Sequence, residues 1–145
     1  YNRGSMYYYL GDYENARSNL ETAKDEDATA DCVRLLGQTY EQLGDYNYAA
    51  SVYSNYLNET PDAQMYNQLG LCELRIGNYD TALEAFQSGI AIEENQIMQI
   101  LKFNEIVAYE YLGEFDQATI LMESYLATYP DDEKAQREYE FLQTR

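Results

Sequence analysis

Acidic oxygens are the chemistry this chain has in abundance. In the run DEDATAD, Asp25, Asp27, Thr29 and Asp31 stand at alternate positions, the spacing with which a calcium-binding loop opens. The loop then fails: Ala30 stands where the sharp-turn glycine belongs, and Leu36 where a bidentate glutamate would complete the coordination. A solvated loop carrying a helix cap accounts for the run. Glu93–Glu94 and Asp131–Asp132–Glu133 are neighbouring carboxylates, but both sets stand at helix-end signals, where acids favour a helix N-terminus or are simply solvated. General acid–base catalysis needs a cleft and shifted pKa values, which neighbours in sequence do not by themselves supply. There is no histidine, which removes Ser–His and Cys–His nucleophile pairs and the commonest metal ligand. Cys32 and Cys72 lie far apart and form no C-x-x-C pair; they read as small buried hydrophobes, with a disulfide as the minor alternative. No catalytic, metal or cofactor site is expected, so the protein is read as a non-enzyme.

Composition narrows the remaining classes. With 145 residues, 46% of them hydrophobic, the chain is long enough for a domain with a real core and too apolar to stay disordered. Its 26 acids against 9 bases give a net charge of −17. A nucleic-acid backbone or an anionic membrane surface would be repelled, whereas neutral or basic partners would be favoured. No apolar run approaches the ~18 residues of a membrane span, so direct insertion is not expected. No signal peptide opens the chain, but it begins at Tyr1 rather than Met, so a piece of a longer protein is expected. That leaves the compartment open: cytoplasmic, or extracytoplasmic if a leader or lipoprotein anchor has been removed.

The elements that must position any site are written as a period. The motif LGDY occurs at Leu10–Tyr13 and Leu43–Tyr46, with IGNY at Ile76–Tyr79 and LGEF at Leu112–Phe115. The turn glycines Gly11, Gly44, Gly77 and Gly113 are separated by 33, 33 and 36 residues. Alanines keep phase five residues on (Ala16, Ala49, Ala82, Ala118), and large apolar residues four further (Leu20, Tyr53, Phe86, Met122). Seven residues before the turn, three units carry a second glycine: Gly4, Gly37 and Gly70. Apolar residues recur at three and four, as in Val33, Leu36, Tyr40 and Leu43, so each unit reads as two antiparallel helices of ~12–15 residues. The turn glycine ends one helix in the left-handed conformation, and Asp12, Asp45 and Asn78 follow as N-caps, with Glu114 a poorer one. The aromatic beside each cap (Tyr13, Tyr46, Tyr79, Phe115) is expected to fold back on its own helix pair. Among the 17 tyrosines, Tyr7, Tyr40, Tyr53, Tyr56 and Tyr79 fall in phase and read as core packing.

The second unit reads Val33-x-x-Leu36-Gly37-x-x-Tyr40, then Ala49-x-x-x-Tyr53, then Pro61. This resembles the tetratricopeptide repeat, W-x-x-L-G-x-x-Y, A-x-x-x-F, P, with only the tryptophan slot changed. The third unit matches with Tyr66, Leu69, Gly70, Ala82 and Phe86 but carries Glu73 where the family has an aromatic. The resemblance covers nearly the whole chain. It implies an all-α, right-handed α-solenoid of about four TPR-like helix-turn-helix repeats, at roughly 1–28, 29–62, 63–96 and 97–131, plus a C-terminal capping helix at 132–145. The fourth unit departs from the pattern. It arrives late, with two or three extra residues near Glu93–Met98, and its first helix, expected over Gln96–Leu112, is apolar on nearly every side. Two registers fit that helix, one anchored on Gly113 and one on Phe103, and Ile106 or Val107 replaces the small glycine. Looser packing or a changed superhelix angle is expected there.

In proteins similar to this one, the first helices of successive units line a concave groove that holds a peptide or partner helix. The resemblance therefore implies a groove built from Tyr8, Tyr9, Arg34, Gln38, Glu41, Asn67, Leu71, Leu74, Arg75, Phe103, Val107 and Tyr111. The mixture is polar in the second unit and apolar or aromatic toward the fourth. Some family members clamp a chaperone's C-terminal carboxylate with paired lysines. Here Arg34, Gln38, Gln64 and Gln68 stand near that position, the lysines are missing and the surface is acidic, so that clamp is not expected. The expected function is a non-catalytic scaffold for a protein or peptide. The alternative is a structural module that self-associates through its end repeats, and the oligomeric state is left open.

Overall fold

A computed structural model describes residues 1–145. Nine helices and no strand make up the chain: α1 Asn2–Tyr9, α2 Tyr13–Glu26, α3 Ala30–Gln42, α4 Tyr46–Leu57, α5 Ala63–Ile76, α6 Tyr79–Ile90, α7 Met98–Tyr111, α8 Phe115–Thr128 and α9 Glu133–Gln143. Each helix packs on its neighbours in sequence, which makes the molecule a solenoid of the pairs α1/α2, α3/α4, α5/α6 and α7/α8, with α9 laid on α8. No helix is long and apolar enough to cross a membrane.

The turns follow from the four glycines. Gly11, Gly44, Gly77 and Gly113 are the only residues with positive φ, at 82°, 82°, 100° and 76°. Their N–H groups, and those of the residues after them, close the preceding helix: Gly44 N–H donates to Glu41 O and Asp45 N–H to Tyr40 O. Asp12 and Asp45 then cap the next helix through their side chains, and Glu114 does not. Asn78 departs from expectation. It occupies the cap position, but its side-chain amide donates to Glu73 Oε2 at 3.0 Å. Glu73 fills the family's aromatic slot and is buried, so its carboxylate needs a donor more than the helix needs a cap. Thr29 caps α3 at the end of the acidic run. Cys32 and Cys72 are buried and unpaired.

The upstream glycines set the spacing within a pair. A Cβ on Gly37 would lie 2.1 Å from a ring carbon of Tyr53, and one on Gly70 would lie 2.4 Å from Phe86. In the fourth pair Ile106 holds that slot, buried in one cluster with Ala118 and Met122, which selects the register anchored on Gly113. Val107 faces the other way. The α7/α8 pair approaches less closely than the three glycine-bearing pairs do. Ahead of it, α7 begins at Met98 rather than Gln96, because Asn95 organises the extra residues: its Nδ2 reaches Ile92 O at 2.6 Å and its Oδ1 accepts from Ile97 N–H at 2.9 Å.

The turn aromatics correct a second expectation. Tyr46 lies under the Arg75 guanidinium, Tyr79 stacks on Tyr111 with ring centroids 5.0 Å apart, and Phe115 lies under Arg145. Each therefore meets a residue of the next unit or of the segment after α9. Only Tyr13 stays within its own pair, edge-on to Tyr8. In the second, third and fourth pairs the contact of Gly37 with Tyr53, of Gly70 with Phe86 and of Ile106 with Met122 already closes the helices on one another, leaving the turn ring free to reach forward.

Candidate functional site

Between the first helices of the second, third and fourth units runs an open groove of about 630 Å³ that extends to α9. Its floor and walls include Leu71, Leu74 and Val107, flanked by Glu41, Arg75, Phe103 and Tyr111. Sequence phase places them there: Leu74 stands 33 residues after Glu41, and Phe103, Val107 and Tyr111 stand 36 after Asn67, Leu71 and Arg75. Helices that stack in register bring such positions into columns.

Several groove residues are held by their own partners. Glu41 accepts a 2.5 Å hydrogen bond from the Tyr53 hydroxyl, and burial pushes its carboxyl above the usual range. The Arg75 guanidinium lies over the Tyr46 ring and donates a hydrogen bond to its hydroxyl oxygen at 2.5 Å. Asn67 lies outside the groove lining but accepts from the Asn104 amide at 2.7 Å, which ties α5 to α7. Tyr8 is half-buried beside Tyr9 and Tyr13, within reach of the Gln42 side chain at the groove's near end.

The structure does not bring every expected residue together. Arg34 is bonded to Asp31 and, at 3.2 Å, to Asp62, the residue that caps α5, so it joins α3 to the start of α5 outside the groove. Gln38 is half-buried on α3 outside the lining, and Tyr9 is 78% exposed on α1. Other lining residues, Gln42, Tyr46, Asn104 and Lys134, were not expected. For Gln42 the signal was present, since it stands 33 residues before Arg75. Lys134 belongs to α9, which sequence alone presents only as a polar cap.

A second cavity of about 440 Å³ adjoins the first where α7 meets α9, and the two share Phe103, Val107, Tyr111 and Lys134. Here Glu110, in phase with Leu74, faces Glu138. Burial pushes the Glu110 carboxyl up to about 7, helped by the hydrogen bond and the charge of Glu138 and opposed by Arg145. Unfolded, this carboxyl titrates near ~4.3. A carboxyl raised on folding contributes stability that is full below the unfolded value and is lost as pH rises through the folded one. Glu41 and Glu105, both raised by burial, act in the same sense. Thermal melts are expected to show stability falling between about pH 5 and pH 8. Glu110→Gln, neutral throughout, should flatten that slope by on the order of 1 kcal/mol after allowance for solvent screening. An unchanged slope in the variant would remove Glu110 from the account.

A stack of helix pairs that presents one continuous inner groove defines a helical-repeat protein of the kind that engages other proteins. The chain belongs to the tetratricopeptide repeat family, whose profile matches residues 1–63 and again 34–96. No functionally curated protein matches it. Among solved structures, a crystal structure of MamA is similar with a TM-score of 0.85 at 22% identity, over 96% of this chain and 81% of that one. A structure of MamA AMB-1 is 27% identical with a TM-score of 0.73, over 97% and 83%. The NMR structure of the second TPR domain of human RPAP3, in complex with the HSP70 peptide SGPTIEEVD, gives 0.66 at 18% identity, over 75% and 90%. These likenesses are ones of fold.

Proposed function

We propose that the protein is a non-catalytic scaffold that holds an extended peptide or partner segment along the groove between α3, α5, α7 and α9. One observation carries the reading: Leu71, Leu74, Val107, Phe103 and Tyr111, from two successive units, converge with Glu41 and Arg75 on a single open cavity. Exposed aromatic and aliphatic side chains beside a guanidinium are the usual makings of binding anchors. A neutral or basic partner suits a chain of net charge −17. Leu74→Asp combined with Tyr111→Ala should reduce peptide capture at least tenfold while circular dichroism stays unchanged. Full capture by the folded variant would sink the reading.

A second reading has its own observation. Tyr1, Met6, Tyr9 and Leu10 expose 49%, 51%, 78% and 72% of their surface around α1, an apolar end against which a second copy could stack. Light scattering over a range of concentrations separates the two, since a monomer throughout argues against self-association.

A further inference from the structure

The cavity between α7 and α9 differs from the rest of the groove in chemistry. Its walls are the rings of Phe103, Tyr111, Phe115 and Phe141, and its acids are Glu110 and Glu138. Glu110 Oε1 is buried and has no hydrogen-bond partner. The chain's ion pairs lie elsewhere, at Arg17–Glu14, Lys24–Glu21 and Arg34 with Asp31 and Asp62. Two cations do reach this cavity, and both sit on rings. Lys134 Nζ is 4.8 Å from the centre of Phe103, and Arg145 Cζ is 3.8 Å from that of Phe141 and 5.6 Å from that of Phe115. The rings thus already receive ammonium and guanidinium groups, while the carboxylates are left to repel one another across a half-dry space.

We propose that this cavity is the subsite for one basic side chain, lysine or arginine, of the peptide in the groove: the rings flank its apolar stem, and Glu110 and Glu138 take its charge. The inference rests on the groove reading above. An incoming cation offsets both the burial of Glu110 and its repulsion by Glu138. A charge-assisted bond in a partly enclosed site is among the stronger polar contacts available. An acidic side chain would instead add a third like charge.

The test uses a degenerate library of nine-residue peptides captured on the protein and sequenced by position. Lysine or arginine should be enriched at one position, and single peptides carrying it should bind about tenfold more tightly than their norleucine versions. Glu110→Gln with Glu138→Gln relieves repulsion and should melt no lower than the parent. It should abolish the enrichment while leaving norleucine peptides bound as before. Capture that depends on Leu74 but shows no basic preference, or a preference unchanged in the double variant, overturns the subsite and leaves the groove reading standing. A library that yields no capture at all overturns both. The relative enrichment of arginine and lysine identifies which head the cavity takes.

Discussion

Replacing Gly37 with alanine is expected to destabilise the protein by about 2 kcal/mol or more, although alanine is the better helix former by ~1 kcal/mol. The added Cβ would lie 2.1 and 2.2 Å from two carbons of the Tyr53 ring, which is wholly buried and cannot swing away. Either α3 and α4 separate or the ring leaves its hydrogen bond to Glu41. The steric cause makes a second prediction. In a Tyr53→Val background the same substitution should cost far less, because a side chain that ends at Cγ does not reach the added Cβ. Leucine would not serve, since a Cβ on Gly4 would lie 2.6 Å from Leu20 Cγ, whereas the fourth pair seats Ile106 in one buried cluster with flexible Met122. Urea denaturation of the four proteins of this double-mutant cycle measures the coupling. An equal cost of Gly37→Ala in both backgrounds would show that the ring is not what the glycine accommodates. Tyr53→Phe isolates the hydroxyl contribution.

The same contact explains why so much of the fold was legible in the sequence. Glycine at a helix crossing, alanine beside it and a large apolar side chain opposite are residue types that close packing demands, and their recurrence at a fixed spacing encodes the stack. The left-handed turns were legible for a similar reason, since glycine alone tolerates them without strain. The groove was legible where it lies between those fixed positions on first helices: Glu41, Leu71, Leu74, Arg75, Phe103, Val107 and Tyr111 all reach it. What escaped depends on which of two partners a side chain prefers. Arg34 had an open path toward the inner face but found Asp62 at the next helix start. Asn78 had a helix to cap but found buried Glu73. The turn rings could have closed on their own pair or reached the next, and packing inside the pair had already been settled. Lys134, Glu138 and Phe141 were hidden by their element: a terminal helix rich in charge reads as a solvated cap until its neighbour is known. Gly89 lies outside the repeat phase. It is explained only by Leu101, which would come within 2.9 Å of a Cβ there.

That joint carries the other large effect. Phe86→Ala should cost about 4 kcal/mol, as expected for a fully buried phenylalanine whose cavity cannot collapse. Phe86 is also where the buried surface changes hands. One cluster of 16 residues runs from Ala16 to Ala85, another of 6 holds Ile106 through Leu142, and Phe86 with Ala82, Leu101 and Ala108 forms the small cluster between them. In a stack whose stability is a sum of unit and neighbour terms, weakening one interface lowers cooperativity as well as stability. The variant should therefore unfold in two steps. The helices α7 to α9, with the smaller cluster and the pair that lacks its glycine, should melt first. Residue-resolved hydrogen exchange in rising urea should show amides of Leu101–Tyr111 losing protection at denaturant concentrations that leave Leu35–Tyr53 intact. A single transition shared by both segments would mean that the coupling runs through other contacts that cross this joint, among them the Tyr79–Tyr111 stack, the Asn67–Asn104 bond and the bonds from Gln87 to Glu105 and Tyr109. The groove spans the same boundary, with Leu74 on one side and Phe103 on the other. A peptide bound along it bridges the two segments, so saturating peptide should bring the two steps of the Phe86→Ala variant back together.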